Sequence, residues 1–345
     1  MKCLSNSKLN IWPQETRFED GRAIISATLE FPDKSSDTLW YSVPEEFYTP
    51  SLNDDHFLVA LIYKIMDSGL PVHVHGEISR SLVQNLDEYM EAWRQWLPDL
   101  SRVIISADRL TDIAVPASRD DAVVAFSGGV DSCFTAFRHA RKAGPQIPYH
   151  PVAGIMVHGF DIPLEESAMF NAAIDRSREM LNSLNMYLIP VATNFRSLVS
   201  DWSHTFGAAV ASCLMLFAPK FKNGLIGQGF TYKEIFLLHE GSNPITDALL
   251  SSHLFRIVPD GTSYTRAEKI GALHSWDEFL RYLRVCWQGP EKDKNCCECE
   301  KCTRNILTFK ALGMDLPPCF SKDVTVRLLK TFKMGMGSLP EIRYG

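Results

Sequence analysis

A chain of 345 residues, 46% hydrophobic and 22% charged, has the balance of a soluble globular protein large enough for about two domains. Its formal net charge of −6 argues against a strongly basic nucleic-acid binder. The opening residues MKCLSNSKLNIWPQE lack the apolar core of a secretory signal, and the longest apolar stretch, Phe206 to Pro219, is shorter than the ~20 residues that cross a bilayer, so a cytoplasmic protein is expected.

Residues 22–31 (RAIISATLEF) and 37–43 (DTLWYSV) predict strands joined by a turn at Pro32–Ser36. Residues 54–68 carry apolar side chains at helical spacing and stop at Gly69. Residues 70–78 (LPVHVHGEI) alternate like a strand, 79–97 predict an amphipathic helix capped by Ser79 or Ser81, and 101–107 predict a further short strand. Together these make a small α/β or α+β unit over residues 1–118, expected as an accessory domain for dimerisation, substrate selection or partner docking. His73 and His75 alternate on one strand face, and a solvated face is preferred there over a metal pair.

From residue 119 to 345 the rhythm is strand, helix, strand, helix. Strands are predicted at 122–126, 152–157, 186–192, 224–229 and 254–259, with helices at 131–142, 165–184 and 206–218. Such alternation implies parallel βαβ units with helices on both faces: an α/β, Rossmann-like fold. The first strand runs into Ser127-Gly128-Gly129-Val130-Asp131-Ser132 and then a helix. Glycines let the backbone turn sharply and an anion approach closely, and the first helical turn offers unpaired amides and the positive end of the dipole. Ser127 and Ser132 add hydroxyls, and Asp131 suits a Mg²⁺ ion bridging phosphates. Neither GxxxxGK[ST] nor GxGxxG is present.

Of the 9 cysteines, Cys3, Cys133, Cys213 and Cys319 are scattered, whereas Cys286, Cys296, Cys297, Cys299 and Cys302 cluster. CxxC spacing without a signal peptide reads as a metal site. Cys286, Cys296, Cys299 and Cys302 suit a structural Zn²⁺ with four thiolates; Cys297 is an alternative ligand and an iron–sulfur cluster an alternative occupant. Lys292, Lys294 and Lys301 are placed to offset the thiolate charge.

The segment SGGVDS after a buried strand resembles the signature of the PP-loop ATP pyrophosphatases. The cysteine pattern, with Arg304 and NILTFKALG behind it and TRAEKIGAL (265–273) ahead of it, is similar to the 7-cyano-7-deazaguanine synthase branch of that superfamily. The resemblance covers about residues 121–315. It implies that Ser127, Gly128, Gly129, Val130, Asp131 and Ser132 hold ATP. Backbone groups of Val157 and His158 would bind adenine, and Arg266 and Lys269 would act with Asp131 and Ser132 on the phosphates or adenylate. The implied reaction adenylates a carbonyl or carboxylate oxygen, releases pyrophosphate, and lets a nitrogen or sulfur nucleophile displace AMP. Residues 1–118 have no counterpart in that family, and VHGFDIP and TNFRS depart from its substrate-recognition segments. The activation chemistry therefore carries over more firmly than a purine- or deazapurine-like substrate.

Other strand exits offer substrate contacts: Asp161 for ribose or metal, Asn194 and Arg196, the backbone of Gln228 and Gly229 with Lys233 and Glu234 nearby, and Asn243 and Asp247 on a polar loop. Plain turns and, for Lys269 and Glu268, solvated helix charges are the competing readings. Cys133, in the first helical turn, suits either a sulfur-transfer thiolate or apolar packing, with packing preferred; Cys213 reads as core. No glutaminase is evident, since Lys2 follows Met1 and no nucleophile elbow is present, so nitrogen is expected as ammonia or from a partner protein. Two other functions stay open: sulfur transfer after the same adenylation, and a partner-dependent protein-modifying or defence factor.

Overall fold

The computed structural model describes residues 7–114, 119–142, 149–235, 238–325 and 328; Cys3 and the boundary at residue 118 lie outside the described residues. In chain order come β1 (Leu9–Pro13), β2 (Arg17–Glu19), β3 (Arg22–Glu30), β4 (Ser36–Pro44), α1 (Asp55–Ser68), β5 (Val72–Ser79), α2 (Arg80–Trp96) and β6 (Ile105–Thr111). Then follow β7 (Asp120–Ala125), α3 (Val130–Ala140), β8 (Pro151–His158), α4 (Ser167–Asn182), β9 (Tyr187–Thr193), α5 (Trp202–Met215) and β10 (Phe221–Gly227). The short helices α6 (Tyr232–Ile235) and α7 (Thr246–Leu249) precede β11 (Arg256–Asp260), α8 (Arg266–Leu273), α9 (Asp277–Tyr282) and α10 (Glu300–Ala311).

The strands form one 11-stranded sheet in the order β11-β10-β7-β8-β9-β4-β3-β1-β5-β6, with β2 paired to β3 outside that path. The five strands from β11 to β9 are all parallel. Numbered by their own sequence they read 3-2-1-4-5 from β9 to β11, the doubly wound order in which the chain reverses direction between β7 and β10. This is a Rossmann-like α/β fold. Ligands of such sheets bind beyond the carboxyl ends of the strands at that reversal, which is where SGGVDS lies.

The change of character expected near residue 118 is a change of strand direction within a shared sheet. β4 pairs antiparallel with β9, setting Tyr41 opposite Thr193 and Ser42 opposite Ala192. Asn194 reinforces this seam, accepting from Trp40 N–H at 2.9 Å and donating to the Thr38 carbonyl at 2.7 Å. One apolar cluster joins Leu9, Tyr41, Phe57 and Leu61 to Ile189, Ala208 and Phe255, so residues on both sides of 118 share a core.

Helices α1, α2, α5 and α7 pack together on one face. α1 is apolar almost all round and correspondingly buried, ending where Gly69 adopts left-handed backbone. α3, α4, α8, α9 and α10 cover the other face of the parallel strands, around a second cluster that includes Phe126, Cys133, Leu181 and Phe309. β1 was not foreseen from the sequence: LNIWP is short and polar-flanked, and only its pairing with β3 and β5 makes it a strand. No helix among the described residues is long and apolar enough to cross a membrane.

Candidate active site and metal centre

The chain leaves β7 through Phe126 and turns at Gly128, whose φ of 75° suits glycine and strains other residues. Gly129 caps α3, and the loop ties itself together. The Ser132 hydroxyl donates to the Gly129 carbonyl at 3.1 Å and meets Ser127 N–H and Oγ at 3.3 Å. Val130 and Ser132 are buried, while Ser127 is exposed at the rim. As at any helix start, the first-turn amides of α3 lack carbonyl partners within the helix. β10 ends against this turn so closely that a Cβ on Gly227 would lie 2.6 Å from the Asp131 carbonyl oxygen.

Two cations converge on Asp131. Lys269 Nζ lies 2.9 Å from Oδ1 and an Arg266 nitrogen 3.0 Å from Oδ2. Both come from α8, three residues apart and so on one side of the helix. A capping box sets the start of α8: Thr265 N–H and hydroxyl donate to Glu268 at 2.8 Å, and Thr265 Oγ1 accepts from Glu268 N–H. The two bonds that Thr265 donates hold the Glu268 carboxyl below its usual range. Lys269 is no solvated charge: its side chain is 1% exposed, and its ammonium also donates to the Gln228 carbonyl. A buried ammonium needs such partners, because desolvation without them costs several kcal/mol.

Gln228 faces inward. Its amide donates to Asp247 Oδ2 at 2.7 Å and to Ser242 Oγ at 3.1 Å, and Ser242 donates to Asp247 at 2.6 Å. Asn243 and Asp247 are fully buried, in place of the polar loop expected from their sequence, because this closed network meets their hydrogen-bonding needs. Burial pushes the Asp247 carboxyl up to about 7, with Ser242, Gln228 and Asn243 opposing. Gly229 is exposed near Asp131, and Glu234 accepts from Thr231 at the start of α6. At the end of β11, Asp260 accepts from Thr135 at 2.9 Å and meets His139 at 3.1 Å and Arg138 at 3.4 Å. Burial alone would raise it; His139, Arg138 and Thr135 outweigh that and hold it low.

β7 diverges after Ala125, whereas β8 continues to His158. Val157 is therefore paired with Val191 of β9 and not with β7. The His158 ring is committed elsewhere: it stacks on Phe170 with centroids 4.3 Å apart and meets the Pro163 carbonyl at 2.7 Å. Burial lowers its pKa. The turn it braces, together with the exit of β9, opens a cavity of about 600 Å³ lined by Phe160, Asp161, Glu165, Asn194, Arg196, Trp287, Gln288 and Lys292 among others. Arg196 donates to the Phe160 carbonyl at 2.7 Å and lies over the Trp202 ring. Asp161, Asn194 and Arg196 thus share one cavity, though both ends of the Asn194 amide are used at the β4 seam.

Arg284 joins this cavity to the loop and was not foreseen from the sequence. Its guanidinium donates to the Ser127 carbonyl at 3.1 Å and to the Lys292 carbonyl at 3.2 Å, its own N–H donates to the Gly128 carbonyl at 2.9 Å, and Asp161 lies 3.9 Å away. Burial lowers its pKa, and its Nε is buried without a hydrogen-bond partner. Its place two residues before Cys286 is the one clue the sequence carried.

Cys286, Cys296, Cys299 and Cys302 bring their sulfurs within 4.8 Å of one another. Cys286 and Cys299 lie 3.8 Å apart, and Cys296 and Cys302 3.9 Å. A tetrahedral Zn²⁺ with bonds of about 2.3 Å spaces its sulfurs by about 3.8 Å, so the donor set fits zinc. Amides of Gly289, Glu298, Cys299 and Cys302 donate to these sulfurs, favouring thiolates. Burial pushes the Cys286 thiol up, but hydrogen bonds from Cys296, Gly289 and Cys299 outweigh it and bring it down to about 7. Cys297 turns away, with left-handed backbone and its sulfur near the Asn295 carbonyl and Ser321. The lysines have other partners: Lys292 the Trp287 carbonyl, Lys294 Glu291, and Lys301 the Trp287 ring. Arg304 pairs with Glu300 at the surface. Cys133 and Cys213 are fully buried, and burial pushes both thiols up.

No family model matches the chain, and neither the curated proteins nor the solved structures compared with it include a match.

Proposed function

We propose that the chain is an ATP-dependent adenylating enzyme of the PP-loop type, acting on a small purine- or deazapurine-like molecule and passing it to a nitrogen nucleophile. The observation that carries this reading is the convergence of Lys269 and Arg266 on Asp131, beside a glycine turn at the reversal point of the sheet. The loop's first-turn amides and the exposed Ser127 hydroxyl can meet phosphate oxygens, as can Ser132 once it releases the Gly129 carbonyl, with Lys269 and Arg266 adding charge.

Magnesium takes one or two carboxylates plus phosphate oxygens, which Asp131 and a nucleotide supply. Oδ1 is held by buried Lys269, whereas Oδ2 faces Arg266, whose side chain is 29% exposed and able to turn to a phosphate. The ion would neutralise charge on the phosphates. In the reaction, a carbonyl or carboxylate oxygen of the acceptor bonds to the α-phosphorus as the bond to pyrophosphate breaks. Nitrogen then bonds to the activated carbon, and AMP leaves with the oxygen.

The acceptor's place is the cavity beside the loop. Its volume of about 600 Å³ and its Phe160, Trp287, Asp161 and Arg196 lining suit a flat, polar-edged ring. Complete burial of Cys133 speaks against a thiolate of this chain as a sulfur donor, so the nucleophile, nitrogen in this reading, would arrive as ammonia or from a partner protein.

The test is product analysis of ATP labelled at the α-phosphate, with Mg²⁺ and oxo-purine or carboxy-deazapurine acceptors. The expected products are AMP and pyrophosphate, with turnover falling at least ~100-fold in Asp131→Asn. ADP and phosphate, or turnover indifferent to Asp131, would end the adenylation reading.

A further inference from the structure

We propose that His73, His75 and Asp108 form a second metal site, at the far end of the sheet from the SGGVDS loop, that binds a zinc-class divalent ion. The neighbouring residues Val72 and Val74 are buried, so both imidazoles stand on the opposite, half-exposed face of β5. The parallel pairing of β6 sets His73 beside Ser106 and Val74 beside Ala107, which brings Asp108 alongside the two rings. Asp108 Oδ1 lies 2.9 Å from His73 Nε2 and 3.7 Å from His75 Nδ1, and one ligand atom from each residue falls within 4.8 Å of the others. A tetrahedral ion bonded at about 2.0–2.1 Å spaces its ligands by about 3.3 Å, between the two observed separations.

The outer nitrogens point the same way. Ser106 donates its hydroxyl hydrogen to the Val72 carbonyl at 3.1 Å, so the hydroxyl oxygen accepts from His73 Nδ1–H at 2.9 Å. Asn10 donates its amide to Glu30 and turns Oδ1, an acceptor alone, to His75 Nε2 at 3.2 Å. Each neutral ring therefore spends its one N–H on an outer partner. Both remaining lone pairs then face a carboxylate oxygen that has only lone pairs to offer, a conflict that a proton on either ring or a cation between them resolves. Outer hydrogen bonds of this kind orient metal-binding histidines. Trp12 stacks on His75 at 3.4 Å and 3°, fixing the ring plane. Imidazole with carboxylate suits zinc and its late first-row neighbours, and three protein ligands leave a position open for water or a bound molecule. The ion would also clip the edge strand β6 to β5.

The test uses the full-length chain, stripped of metal, dialysed against Zn²⁺ and assayed for bound zinc. Wild type is expected to hold one zinc more per chain than a His73→Asn, His75→Asn variant, which keeps the cysteine-bound zinc as its control for folding. Asp108→Asn is expected to weaken the extra site by ~10-fold or more. Co²⁺ added after the cysteines are filled with zinc should give visible absorption free of thiolate charge-transfer bands. Equal zinc in wild type and the double variant, or cobalt spectra showing only thiolate ligation, overturns the proposal.

Discussion

Between β7 and β11 helices lie on both faces of the sheet, whereas α1 and α2 cover one face of the strands from β1 to β6. In the parallel half, charged residues gather at the strand ends, and burial there forces each to find partners: Lys269 with Asp131, Asp247 with Gln228 and Ser242, Asp260 with His139 and Thr135. In the other half, polar side chains line the face away from α1 and α2. Asn10, Gln14, Thr28, His73 and His75 bond to one another or to neighbours while keeping some contact with water. The same residue types are thus costly to disturb at one end of the sheet and cheap at the other, because desolvation sets the cost of a lost partner.

The largest effect should come from the cysteines. Cys302→Ser or prolonged chelation is expected to release zinc and expose residues 286–311 to protease, since structural zinc contributes on the order of 10 kcal/mol to its fold. Cys297→Ser should keep the metal, which zinc quantification on both variants checks.

Lys269→Met comes next. It leaves Asp131 and the Gln228 carbonyl short of a buried donor, so about 3 kcal/mol of stability should be lost in urea unfolding, together with the proposed ATP turnover. Equal stability would show that the strand ends of the parallel half are not strongly desolvated.

Asp247 gives a pH signature. Its folded pKa, about 7, lies above the ordinary carboxyl value of 3.8, so between those values the native state binds the extra proton. Its contribution is therefore full below about pH 4 and lost as pH rises toward 7, by up to ~4 kcal/mol. Asp247→Asn should lack that slope, so the difference between the two stability curves should carry it; parallel curves would refute the assignment. Smallest is Gln14→Ala on the half-open face. It breaks bonds to Ser26 and Thr28 yet should cost only ~0.5 kcal/mol by the same unfolding measurement.

Much of the parallel half was legible in the chain. The apolar runs, the helical spacing of residues 165–184 and the glycine turn at Gly128 are local signals that burial and steric rules read directly. The four-cysteine cluster was legible too, apart from the choice between Cys296 and Cys297, which hinges on one left-handed residue. Lys269 looked equally like a surface charge, because nothing within α8 says that its ammonium meets Asp131 on a different element.

What the sequence by itself determined is what short-range chemistry controls: alternating strands and helices, the glycine turn after β7, and a four-cysteine cluster whose members sit close in the chain. Only the tertiary structure decided that residues on both sides of 118 share one sheet, that Gln228 and Asp247 face inward, that Arg284 braces the loop, and that Asp108 joins His73 and His75. Each of these depends on strand order and burial. Those are set by how apolar surface is hidden over the whole chain, and residues far apart in sequence become neighbours only when that is complete.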